Sequence, residues 1–174
     1  KDSFQSLKLA VYRENARRRN LALIERINSV LNETAVDYDK DVLPLTPSGN
    51  ATERHIISAY VQKSFDVFKT ERETFEHMSK IFGKTTDELA GIFKTSRPAY
   101  DELARAKFAK KGGIGYTQPS QETFPPMKDF LSWVKSCGAI PTEAWLDGTT
   151  KGESLGIKYM EASREEGAEA LNII

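Results

Sequence analysis

Two stretches of about thirty residues, 3–32 and 51–82, contain neither glycine nor proline. Helix is the local default in such runs, because the residues that break the backbone ladder are missing. In the first, Phe4, Leu7, Val11, Leu21, Ile24, Ile27 and Leu31 recur mostly at three- and four-residue steps, behind Ser3 as N-cap. In the second, Asn50 or Thr52 stands at the cap, and Ile57, Val61, Phe65, Phe68, Phe75, Met78 and Phe82 form an apolar stripe. One unbroken helix from Thr52 to Phe82 would be roughly 45 Å long. Two helices of this length predict an antiparallel hairpin or an extended arm. The segment between them, TAVDYDKDVLPLTPSGN, is broken by Pro44, Pro47 and Gly49.

Gly83 reads as the stop after the second stretch. Thr85 or Thr86 opens a short helix, and Pro98 stands in the first turn of another that ends before Gly112. Residues 1–111 are thus expected to form a helical, insertion-like domain, and 112–125 a linker loop. In that loop Tyr116, Gln118 and Ser120 either line a pocket or belong to a tether. From residue 126 to 174 the rhythm is helix, short strand AIPTEAW, glycine-rich loop, helix, strand AEALNII, which is that of a parallel α/β unit. The expected fold class is mainly α, a long-helix hairpin or bundle, with a small C-terminal α/β part.

Composition narrows the function classes. Lys plus Arg and Asp plus Glu number 25 each, so no net charge draws the chain to nucleic acid or an anionic membrane. No run approaches a membrane span. The single cysteine, Cys137, rules out an intrachain disulfide, and a reducing, cytoplasmic setting is the simplest reading. Arg13, Arg17 and Arg18 read as a solvated or acid-paired face. The start KDSFQSLKL lacks an initiator Met and a leader pattern, and both ends read as cut from a longer chain.

Two constellations can carry chemistry. In PSGNATERH, a glycine-led loop runs into a helix start, whose free N–H groups and dipole favour an anion. Asn50, Arg54 and His55 are its candidate anion-binding residues, Arg54 by a forked contact and His55 as a proton donor near neutral pH. The plain alternative is a capped helix with its charges in water. In EAWLDGTTKGE, Glu143 and Trp145 share a strand face, Asp147 follows the strand end, and Lys151 lies among glycine amides. His55 and Asp147 are the catalytic candidates, and Trp145 and Lys151 would bind substrate. The alternative there is an Asp-Gly turn. Joining the two groups into one site requires Arg54 and Asp147 to converge on one cleft.

Pro125-Pro126, Cys137-Gly138, Ala139 to Thr142 and Ala144-Trp145-Leu146 resemble the late βα units of PHP-type (polymerase and histidinol phosphatase) metal-dependent phosphoesterases, barrel proteins near the amidohydrolases. The resemblance spans about 50 residues, Phe124 to Ile174. It implies a fragment of a (β/α) barrel, with the helical domain inserted over its catalytic face. It further implies metal-assisted hydrolysis of a small phosphorylated substrate. Trp145 stands where the family's strand-end histidine ligates metal, and the family's N-terminal His-X-His motif is absent. No metal ligand or cofactor is therefore assigned to this segment, and a divalent metal would belong to a longer parent protein. The alternative is a non-catalytic helical module that dimerises through its phenylalanine stripe.

Overall fold

The computed structural model describes residues 3–120, 124–146 and 148–173. It is mainly helical with one two-stranded parallel sheet. Two compact units are present: Arg13–Gln118, and Lys1–Tyr12 with Pro119–Ile174.

The helical unit takes helix α1 (Phe4–Asn28) from Arg13 onward, then α2 (Glu53–Val67), α3 (Glu71–Phe82), α4 (Thr86–Thr95) and α5 (Arg97–Phe108). The single helix expected over 52–82 is two helices, broken at Phe68–Thr70. Neither glycine nor proline causes the break. The Thr70 hydroxyl accepts from the Glu73 N–H at 3.2 Å, and the Thr70 N–H donates to the Glu73 carboxylate at 3.0 Å. This reciprocal pair satisfies two N–H groups and starts a new helix. Thr85 and Glu88 repeat the device for α4, and Ser96 caps α5. Gly83 closes α3 at φ +67°, a left-handed position that side chains resist.

The core of this unit is an aromatic spine. Ring centroids lie 5.6 Å apart for Tyr60–Phe108, 5.6 Å for Phe108–Phe82, 5.7 Å for Phe82–Tyr100 and 5.2 Å for Tyr100–Phe93. Ile27, Ile56, Met78 and Leu89 pack around it, fully buried. The expected phenylalanine stripe is thus folded inward, with Phe75, Phe82 and Phe108 buried and Phe65 and Phe93 packed against them. Two asparagines on α1 tie in the irregular chain. Asn20 donates to the Ala51 carbonyl at 2.8 Å, fixing the residue that leads into α2. Asn28 donates to the Val36 carbonyl at 2.9 Å, and its oxygen accepts from the Val36 N–H at 3.0 Å and the Tyr60 hydroxyl at 2.6 Å. The start of the loop after α5 also folds back. Gly115 donates to the Phe108 carbonyl at 2.7 Å and accepts from Arg26 at 2.9 Å. A Cβ there would meet the Phe108 carbonyl oxygen at 3.0 Å and the Ile27 side chain at 2.9 Å, so only glycine fits.

The α/β unit combines the start of α1 with α6 (Met127–Ser136), β1 (Thr142–Trp145), α7 (Ile157–Glu166) and β2 (Ala170–Ile173). The Tyr12 ring meets the Trp133 ring edge-on at 5.3 Å, and Trp133 donates to the Gln5 carbonyl at 3.3 Å. Strands β1 and β2 run parallel with Thr142 opposite Ala170 and Trp145 opposite Ile173. α7 is the crossover between them, ended by Gly167 at φ +118°. Its Tyr159 and Ser163 meet Glu143, so α7 covers the face of β1 that carries Glu143 and Trp145. Thr142 and Ala144 on the other face are exposed, and β2 is exposed throughout, with Ile173 at 75%.

Candidate functional site

The candidate residues fall in different units: Asn50, Arg54 and His55 in Arg13–Gln118, and Trp145 and Lys151 in the α/β unit. Asp147 lies outside the described residues.

Thr52 is the N-cap of α2. Its backbone N–H donates to His55 Nδ1 at 3.0 Å, and its hydroxyl lies 2.9 Å from the same nitrogen. A backbone N–H can only donate, so Nδ1 is the acceptor and the neutral ring carries its proton on Nε2. His55 therefore occupies the place that Glu or Gln takes in the usual capping box. Glu53 accepts from Arg105 Nε at 2.5 Å and lies 3.9 Å from Lys110 Nζ. That bond, ahead of the opposing effect of burial, holds the Arg105 guanidinium above its ordinary pKa. Arg54 and Asn50 are exposed, and neither side chain has a partner among the described residues. The helix start thus offers the Arg54 guanidinium and the His55 Nε2–H. Its acidic neighbour Glu53 is already engaged by two cations. On α1, Arg17 lies 3.9 Å from Asp39 and 5.6 Å from the Tyr38 ring centre, and Arg18 donates to Asn15.

In the α/β unit, Glu143 accepts from the Tyr159 hydroxyl at 2.5 Å and from the Ser163 hydroxyl at 3.3 Å. The hydrogen bond to Glu143, with burial second, raises the Tyr159 pKa. Trp145 packs near Tyr159, ring centres 6.3 Å apart. Lys151 is exposed in the loop that follows. A residue not singled out by its sequence closes this loop. Glu153 is 4% exposed, the buried carboxylate among the described residues of the unit. It accepts from the Leu146 N–H at 2.5 Å and from the Thr150 hydroxyl at 2.9 Å, while its own N–H donates to Thr150 at 3.2 Å. The carboxylate ties the end of β1 to the start of the crossover. Thr-x-x-Glu at 150–153 is the pattern that encodes it. Gly152 lets the Tyr159 ring approach, since a Cβ would lie 2.7 Å from it.

The resemblance places a divalent metal in a longer parent protein. Among the described residues no three of His, Cys, Asp and Glu are grouped to hold a metal ion. His55 is committed to a cap, and His77 is stacked 4.9 Å from Phe68. Among the described residues no helix is long and apolar enough to cross a membrane. No family model, curated protein or solved structure matches the chain.

Proposed function

We propose that the chain is part of a PHP-type barrel hydrolase, with β1–α7–β2 as a βα unit of the barrel wall and the helical unit as an insertion. In this reading Arg54 and His55 grip the phosphate of a small phosphorylated substrate. The observation that carries it is the parallel pairing of β1 and β2 across α7, with one sheet face and the length of β2 uncovered. Parallel sheets are almost always covered on both faces and built from more strands than two. The uncovered face carries Thr142, Ala144, Ala170 and Asn172, while Leu171 and Ile173, opposite Glu143 and Trp145, lie on the α7 face yet stay 40% and 75% exposed because the helix covers β1 and leaves β2 open.

The anion role at α2 follows from donors. An oxyanion there meets the positive end of the helix, the fork of Arg54 and the Nε2–H of His55. His55 acts as a donor. Accepting at Nε2 would need the proton on Nδ1, which would displace the Thr52 N–H. The alternative reading, an interaction module, draws on Phe4, Leu7 and Val11. These stand three and four residues apart on α1 and are exposed at 68%, 56% and 54%. The inward phenylalanine stripe is not available for it.

The test is a titration of the chain with millimolar inorganic phosphate, followed by amide NMR. Saturable shifts at Glu53, Arg54 and His55 are expected, and Arg54→Ala should abolish them. No shift, or the same shift in Arg54→Ala, would sink the anion role and leave the interaction module as the reading.

A further inference from the structure

The second histidine lies away from the α2 helix start. His77, on α3, is half-buried, and its Nε2 is fully buried with no hydrogen-bond partner. Its ring stacks on Phe68, centroids 4.9 Å apart at 39°. Phe68 is the residue at which α2 ends. The charged groups acting on the imidazole are Glu33, whose carboxylate lies 3.8 Å from Nδ1 across the 3₁₀ turn Asn32–Thr34, and Lys80, one turn along α3.

We propose that His77 is a proton-operated latch on the turn between α2 and α3. In the neutral ring a proton on Nδ1 faces Glu33, and Nε2 is an unpaired acceptor, which is tolerable. Protonation adds an N–H at Nε2, in a place that offers no acceptor. A buried ionised donor without a partner is costly. Turning the ring relieves it: Nδ1–H stays near Glu33, Nε2–H reaches water, and the stack on Phe68 is lost. Thr70, at the α3 end of the turn, is held by its box with Glu73, and the α2 end is held more weakly. The Phe68 N–H reaches the Ser64 carbonyl only at 3.4 Å. The rest of α3 stays docked, because the buried Thr74 hydroxyl donates to the Ser64 carbonyl at 3.3 Å and Met78 is fully buried. The opening is therefore local to Phe68–Thr70.

Burial, the largest influence, pushes the His77 pKa below its ordinary value; Glu33 raises it and Lys80 lowers it further. The sign follows. The unfolded or open form takes up its proton at about pH 6.5, before the closed form does. Closure is thus fully favoured above that pH and weakens as pH falls toward the lowered native pKa.

The test is amide hydrogen exchange at Phe68 and Thr70, corrected for intrinsic rates, between about pH 7 and about pH 5. Protection in the wild type should fall roughly tenfold per pK unit separating the two forms. In His77→Phe, which keeps the stack and cannot titrate, it should stay level. His77→Gln serves if the Phe variant does not fold. Protection that holds in the wild type, or falls equally in the variants, would overturn the latch.

Discussion

Phe82→Ala lowers the stability of the helical unit by about 3–5 kcal/mol. Phe82 is 1% exposed at the last turn of α3, and its ring lies between Tyr100 and Phe108. Its loss removes the middle member of the spine and leaves a cavity bounded by two rings from α5 that cannot both move in. Phe82→Leu keeps most of the volume and should cost no more than about 1.5 kcal/mol. Urea unfolding followed by far-ultraviolet circular dichroism reads both. A loss under about 1 kcal/mol for the alanine variant would mean that Phe82 is not in the core.

The second large effect is expected at Asn28. One side chain satisfies both backbone groups of Val36, itself 3% exposed, and also the Tyr60 hydroxyl. Asn28→Ala leaves a buried N–H and a buried C=O unpaired at once, and each such group costs about 1–3 kcal/mol. The expected loss is at least ~2 kcal/mol in the same urea experiment. Tyr60→Phe removes only the hydroxyl, which also lies 3.1 Å from the Ile24 carbonyl, and should cost about 1 kcal/mol. The double variant should lose less than the sum, because the Asn28–Tyr60 bond is counted in both single variants. Strict additivity would show that the two side chains do not share it.

Local signals in the sequence proved legible. Ser3, Thr52, Thr85, Gly83 and Pro98 each mark a helix end through their own backbone preference, which needs no tertiary context. The helix–strand–loop–helix–strand order of the C-terminal part was equally readable, because glycines at 138 and 167 punctuate it at positive φ. The break at Phe68–Thr70 was hidden. Phe65, Phe68, Phe75 and Phe82 keep a helical period across it, and the Thr70-Glu73 box is a weaker signal than a proline. Asn28 and Tyr60 could not be paired from sequence, since 32 residues separate them and the bond exists only once α1 and α2 pack. At the candidate site, Arg54 and His55 were visible as neighbours on a helix start. That His55 Nδ1 is consumed by the cap was not, because it depends on a rotamer. Glu153 escaped notice because a glutamate in a glycine-rich loop reads as exposed until the loop closes around it.

The proposal rests on a chain that carries both a packed helical core and a two-stranded parallel sheet whose β2 is exposed along its length. Amide hydrogen exchange over the whole chain tests it most directly. Amides of Ile56, Tyr60 and Val61 should exchange slowly, while those of Leu171 to Ile173 should exchange far faster, on a strand exposed along its length. Equal protection of Leu171 to Ile173 and the α2 core would contradict it, because β2 would then not be open along its length.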